Sequence, residues 1–446
     1  MPGPVQPRGG HRGRFSGYRD ALRVTPFRRL FLGQGLSGLG DGCGFVAVAW
    51  LALDLAQPAQ RPYAVGLAVG AYSLPGALVG LAVASRLAGL QPRVLLLADA
   101  TLRGVLLAAI PILHAAGALP LWGYISLLGG SSLLGSVGRG GYVSVVASHI
   151  PEPGRFAANS LLGSTEAVTV LLVGPALGGV LVATVGAPLT IAVDAVTFAA
   201  LFAAALSLPA GVRVPGQTPP RVRLRLILRR PLIGWLLALT VVFYGLYGPF
   251  ETALPIFTRD DLHSGAALYG ALWASFGAGA FLGSTAAGTR TVRRIERFAL
   301  AVTAGWALSV ILIGATSVPA VAAAGMALGG LVYAPYPALT TTSLQTLLPS
   351  AELAAGAAGW FAVLSVITPA TTAAGGPLVA AIGARPAILA SGGATLVLAA
   401  LVTAIQHRPA KRRRRLRDPA PRWGLGYGGP DGSPGKGPPG SAPRHP

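Results

Sequence analysis

Asp41, Arg103, Arg139, Glu166, Asp194 and Glu251 fall inside long apolar runs, where an ionisable side chain is expensive and therefore informative. At mid-bilayer such a group costs about 2.5–3.5 kcal/mol on insertion scales, so it should face an interior cavity or a partner. Asp41 lies in GQGLSGLGDGCG, residues 33–44. It is about twelve residues into its apolar run, roughly 18 Å at 1.5 Å per residue. There it can exchange a proton, meet a cationic substrate, or only brace the bundle through hydrogen bonds to its neighbours. Arg139 and Glu166 lie at similar depths in consecutive antiparallel runs, about 13 and 15 Å from one face. They are expected to pair, either as a structural ion pair or as a pair that a proton or substrate competes for. Tyr244, Tyr247 and Glu251 recur at i, i+3 and i+7, one helical face. With Tyr333 and Tyr336 they either line a site for a bulky apolar substrate or serve packing.

Gly33, Gly35 and Gly38 spell the GxGxxG of a dinucleotide-binding loop, but that fingerprint needs a preceding strand and a soluble βαβ unit. Here a basic anchor precedes the glycines and the apolar run continues through Phe45–Leu53. The glycines therefore read as close-packing faces, Gly38-xxx-Gly42 and Gly40-xxx-Gly44, on a helix that bends easily. One cysteine excludes a disulfide framework or a Cys-based metal site, and no GxxxxGK[ST] offers a nucleotide site. No His/Cys/acid cluster has metal-ligand spacing and no Ser–His–Asp order suggests hydrolysis, so neither an enzyme nor a cofactor is expected.

The elements that must position these groups follow from composition. The chain has 446 residues, 52% hydrophobic and 11% charged, with mean hydropathy +0.61. A soluble domain carries about 25% charged residues. Apolar runs near 20 residues, each long enough for about 30 Å of hydrocarbon, recur near 29–54, 63–85, 94–114, 119–147, 156–184 and 187–208. A second set lies near 231–257, 266–289, 297–316, 319–347, 352–382 and 386–405. This predicts an all-α polytopic membrane protein: a basic N-tail (1–28), a six-helix bundle (29–208), a central loop (209–230), a second six-helix bundle (231–407) and a tail (408–446).

Nearly all of the 35 Lys and Arg residues fall in the tails, the central loop and alternate short loops. By the positive-inside rule both termini are then cytoplasmic. That placement in alternate loops also argues against nucleic acid as the partner of a chain with net charge +21. The tail runs from Lys411–Arg415 into a Pro/Gly-rich stretch that cannot bury a core and reads as disordered. Its basic cluster is expected on anionic inner-leaflet lipid. Gly178–Ala187 aligns with Gly375–Ala384 at an offset of 197, a sign that six helices duplicate as six. A parallel repeat with a site between its halves is a transporter architecture.

Further motifs are Phe27-Arg28-Arg29-Leu30-Phe31-Leu32-Gly33-Gln34, Ala157–Leu162, Gly174-Pro175-Ala176-Leu177-Gly178-Gly179, Asp194-Ala195-Val196-Thr197-Phe198 and Leu344–Pro349. With these the chain resembles the major facilitator superfamily over about 27–405. Within it, the chain looks most like the drug- and siderophore-exporting branch that includes macrolide efflux proteins and the enterobactin exporter. The resemblance implies twelve helices around a central cavity lined by helices 1, 4, 7 and 10, which puts Asp41 beside that cavity. It implies a bacterial, plasma-membrane, monomeric antiporter that trades protons for a small amphipathic compound by alternating access. Uptake or uniport, or an uncoupled regulatory protein, is the alternative. Gly174, Pro175, Gly178 and Gly179 match the core of the helix-5 antiporter signature, although Val170 stands where that signature has a further glycine. Asp194 matches an acid common in helix 6, with a scaffold role foremost and proton coupling as the alternative. The 2–3 loop, a gating latch in the family, keeps Arg86 and Arg93 but has Ala84 or Ser85 in place of its usual acid. Asp99, one turn before Arg103, is a candidate substitute, which sets these two with the gating residues.

Overall fold

Prolines and turn residues divide the apolar sequence into helices. The computed structural model describes residues 16–87, 90–210, 224–287 and 294–407. The expected disordered tail, the basic cluster within it and most of the central loop lie outside the described residues. Helix α1 (Ser16–Arg23) precedes α2 (Thr25–Leu55), which has Pro26 in its first turn, where a missing N–H costs nothing. Next come α3 (Arg61–Ala71), α4 (Leu74–Leu87), α5 (Pro92–Ala115), α6 (Leu121–Ser132), α7 (Gly135–His149), α8 (Glu152–Glu166), α9 (Gly174–Val185) and α10 (Ala187–Leu206). After the short α11 (Leu224–Leu228) follow α12 (Pro231–Asp260), α13 (Ala266–Ala287), α14 (Ile295–Ala315), α15 (Pro319–Tyr333), α16 (Pro335–Leu347), α17 (Ser350–Ile382) and α18 (Ala384–His407).

The fold is all-helical and of the expected class. Eleven helical segments among the described residues are long and apolar enough to cross a membrane. The twelfth expected run, 119–147, is α6 and α7 in succession, each short by itself. Three expected helices are interrupted at identifiable residues. Pro75 cannot donate the bond that would join α3 to α4, and Pro335 does the same between α15 and α16. Between α8 and α9 the chain widens into π-type turns over Ala167–Val173, just before Pro175. Part of the expected N-tail is ordered: Ala21 and Phe27 pack with Val146, Ile150, Ala158 and Leu162.

One apolar core runs through α2, α3, α5, α10, α12 and α13. Outward-facing Trp122, Phe156, Val196 and Leu401 are exposed, as lipid-facing side chains are in a membrane bundle. The internal repeat is visible in the backbone. Gly186 and Gly383, 197 residues apart, both turn the chain with φ near +87 and +88°, a conformation that glycine adopts without strain. The same repeat brings glycine to two matching contacts: a Cβ on Gly179 of α9 would lie 3.0 Å from Gly270 Cα of α13, and one on Gly376 of α17 2.9 Å from Pro62 O of α3. These contacts, with Gly70 against Ala373, join the two six-helix sets along the part of the bundle away from where α2 begins.

Candidate functional site

The first site is built on α2, the α3–α4 break, α5 and α10. Arg103 Nη2 lies 3.2 Å from Asp41 Oδ1. Its guanidinium sits 4.7 Å from the ring centroid of Phe198 and 5.8 Å from that of Tyr72. Stacking on aromatic faces suits Arg because its planar cation is weakly hydrated. The Tyr72 hydroxyl, at the α3–α4 break, lies 3.1 Å from Asp41 Oδ1 and 3.5 Å from Asp194 Oδ2. Asp194 is 1% exposed, and its Oδ1 is buried with no hydrogen-bond partner.

Glycines of α2 make this arrangement possible. A Cβ on Gly40 would lie 2.6 Å from Asp194 Oδ1, and one on Gly44 2.5 Å from Oδ2. The Asp194 carboxyl is therefore seated in a groove between two glycines one turn apart. On the adjacent face Gly38 and Gly42 admit Thr169 and Gly174, and Gly178 rests on Cys43. The two expected glycine faces thus have different tasks. One lets the π-type segment and α9 approach, and the other holds the Asp194 carboxyl together with the Thr197 hydroxyl.

Beside Asp41 is a cleft of about 530 Å3, part of it open solvent, bordered by Ser37, Asp99, Arg103, Tyr142, Glu166 and Thr169. Asp99 is buried against Gly138 of α7, about two turns into α5. Glu166 is exposed at the end of α8. The side chains of Arg139 and Arg86 lie outside the described residues, and with them the expected Arg139–Glu166 pair and the 2–3 latch. Arg93 is half-buried in the first turn of α5.

A second cluster occupies the other six-helix set. Tyr244 and Tyr333 share a hydroxyl hydrogen bond of 2.6 Å, and Tyr247 packs edge-on against Tyr244. Trp306 of α14 anchors the group, with Phe243, Tyr247, Phe250, Phe276 and Tyr333 centred 5.7–6.1 Å away. The four tyrosines do gather. Tyr336, however, is buried and bonded to Thr240 at 2.6 Å, which places it in the packing. Glu251 accepts a short hydrogen bond from Thr372 of α17.

A third feature lies at the helix ends away from the start of α2. Arg259 of α12 meets Asp54 of α2 at 2.9 Å, and Arg61 of α3 meets Asp260 at 3.5 Å. Both pairs join one six-helix set to the other. Arg385 and Asp261 pair at 2.9 Å inside the second set. Sequence reasoning missed Tyr72, Thr372 and these end pairs, and it placed Arg103 with the gating residues and not beside Asp41. The signal for Arg103 was present: it lies as deep in its run as Asp41, and two opposite charges at that depth need one another.

Over residues 17–423 the chain matches the profile of a family described as transmembrane secretion effector, one of the major facilitator families. No curated protein matches it significantly. Similar solved structures include a bacterial homologue of the human lysosomal transporter Spinster in an inward-facing, unoccupied conformation. That one has a TM-score of 0.63 at 14% identity and covers 88% of this chain and 99% of its own. A point mutant of the nucleoside transporter NupG has a TM-score of 0.62 at 14% identity, covering 84% and 99%. A POT family transporter in complex with a thioalcohol-conjugated peptide has a TM-score of 0.62 at 13% identity, covering 87% and 96%. At these identities the likeness is one of fold.

Proposed function

Because the chain belongs to the transmembrane secretion effector family of major facilitator transporters, we propose that it exports a small amphipathic compound in exchange for protons. The observation that carries this reading is the Asp41–Arg103 pair, half-buried on the border of a polar cleft. Ionised groups are retained inside a membrane bundle at a cost, and lining a substrate or proton path is the usual return. A proton on Asp41, or a cationic group in the cleft, competes with Arg103 for the same carboxylate. The half-buried tyrosines Tyr244, Tyr247 and Tyr333, with Glu251 beside them on α12, supply an apolar wall for the rest of the molecule.

The distribution of Lys and Arg supports a reading in which both termini are cytoplasmic. The Asp54–Arg259 and Arg61–Asp260 pairs then close the outer side, and the conformation faces inward. The export direction rests on the family description, and the few charges in the spans favour an apolar cargo.

The test uses the full chain in liposomes with an imposed pH gradient and a panel of fluorescent amphipathic drugs, comparing wild type with Asp41→Asn and Glu166→Gln. Wild type is expected to move at least one compound in response to the gradient, and Asp41→Asn is expected to lose that response. If no compound responds, proton-coupled export is the wrong reading. If both variants match wild type, the coupling lies elsewhere.

A further inference from the structure

Three carboxyls face one guanidinium where α10 packs. Helix α2 contributes Asp41 and the Cys43 thiol, α5 contributes Arg103 and Asp99, the α3–α4 break contributes Tyr72, and α9 contributes no titratable group. Arg103 pairs with Asp41. Asp194, on α10 itself, is left with one oxygen that has no partner and one that is 3.5 Å from Tyr72.

We propose that Asp194 is a proton-binding site of this protein: in this conformation its carboxyl is a neutral acid in the Gly40–Gly44 groove, and its proton leaves through Tyr72 to Asp41. This deepens the reading above and rests on it for the role in transport.

Three observations support it. First, Tyr72 has a single hydroxyl proton and two carboxyls within reach. Carboxylates are acceptors only, so with Tyr72 turned to the nearer Asp41 an ionised Asp194 would have no donor. When Asp194 holds a proton it donates to Tyr72 Oη, Tyr72 donates to Asp41, and both contacts become proper hydrogen bonds. Second, although Arg103 is near, it is engaged by Asp41, and the groove itself gives an anion no donor. Its walls are backbone of the middle of α2, whose N–H groups are already engaged along the helix. Burying an unpaired carboxylate there costs several times more than burying the acid.

Third, the repeat supplies a control within the same chain. The position 197 residues after Asp194 is Ser391 in α18, which donates to Leu246 O of α12. A neutral hydroxyl thus holds the corresponding helix pair together in the second set. A carboxyl at Asp194 is therefore more than packing requires, and what it adds is an exchangeable proton.

The transfer balances without any further reactant. The Asp194 O–H proton passes to Tyr72 Oη as the Tyr72 proton passes to Asp41 Oδ1. Asp194 becomes the carboxylate, Tyr72 is unchanged, and neutral Asp41 no longer holds Arg103. Tyr72 lies at a break in its helix, so straightening that break interrupts the relay.

Infrared spectroscopy of the reconstituted full chain tests the site directly. Wild type at neutral pH should show the carbonyl stretch of a protonated carboxylic acid that is missing from Asp194→Asn and from Asp194→Ser, the residue that the repeat uses. Tyr72→Phe should keep that band while slowing proton-driven exchange tenfold or more. A spectrum unchanged in both Asp194 variants overturns the proposal, as does proton-driven transport at the wild-type rate in either one. Should wild type transport nothing under a gradient while the Asp194 band is present, the export reading fails and the proton site stands. Absence of the band in a wild type that does respond to the gradient sinks the proton site alone.

Discussion

Arg103 and Asp41 meet at 3.2 Å between α5 and α2, and the guanidinium is held at that distance by the face of Phe198, 4.7 Å away. The pair lies in the middle of the bundle, whereas Asp54–Arg259, Arg61–Asp260 and Asp261–Arg385 sit at helix ends. Its neighbours Tyr72 and Asp194 extend it across four helices.

Removing one member of this pair strands the other. Arg103→Ala should lower stability by about 3 kcal/mol, the low end for a buried pair because Asp41 keeps some exposure. The double variant Arg103→Gln with Asp41→Asn should recover part of that loss. Thermal unfolding of single and double variants gives the coupling, and strictly additive losses would mean that the two groups do not act together.

The groove around Asp194 tolerates no side-chain atom. Gly40→Ala and Gly44→Ala should each cost about 1–3 kcal/mol through overpacking. Gly245→Ala, where no neighbour lies within 4 Å, should instead raise stability by up to about 1 kcal/mol. Equal effects at the three positions, read from melting temperatures, would contradict the seating of the carboxyl between Gly40 and Gly44.

At the helix ends, Asp54–Arg259 and Arg61–Asp260 hold the two six-helix sets together, although both pairs are partly exposed and are worth only about 0.2–1 kcal/mol each. Asp54→Asn combined with Asp260→Asn should therefore raise the reactivity of a cysteine introduced by Ala373→Cys, in a Cys43→Ser background, by about two- to thirtyfold. Ala373 is a suitable reporter because it packs on Gly70 across the same seam. Unchanged labelling would remove the pairs from any role in closing this end.

The aromatic cluster should divide into anchor and wall. Trp306→Ala is expected to cost about 3–5 kcal/mol of stability, as for other buried tryptophans. Tyr247→Leu should cost much less but raise the KM for a transported amphipathic compound. A Tyr247 variant with unaltered KM, measured in proteoliposomes, would assign the whole cluster to packing.

Much of the fold was legible in the sequence because apolar runs, prolines and basic loops are local signals. The span expected at 319–347 is occupied by α15 and α16 over the same residues, and that expected at 352–382 by α17 from Ser350 to Ile382. The repeat at offset 197 was legible too, and it reappears as matching backbone turns at Gly186 and Gly383. Local patterning could also identify Asp41 and Asp194 as costly groups, since the price of a charge in an apolar run does not depend on its partners.

Their partners were decided only by the tertiary structure. Hydropathy gives the depth of Arg103, but the rotation of α5 about its axis sets whether it turns towards Asp41 or a loop. Tyr72 is one tyrosine among 11, and only the break before Pro75 brings its hydroxyl between two carboxyls. GQGLSGLGDGCG by itself specifies a helix that neighbours can approach closely. Which neighbour fills each glycine face depends on long-range packing: Thr169 and Gly174 on one, the carboxyl of Asp194 on the other.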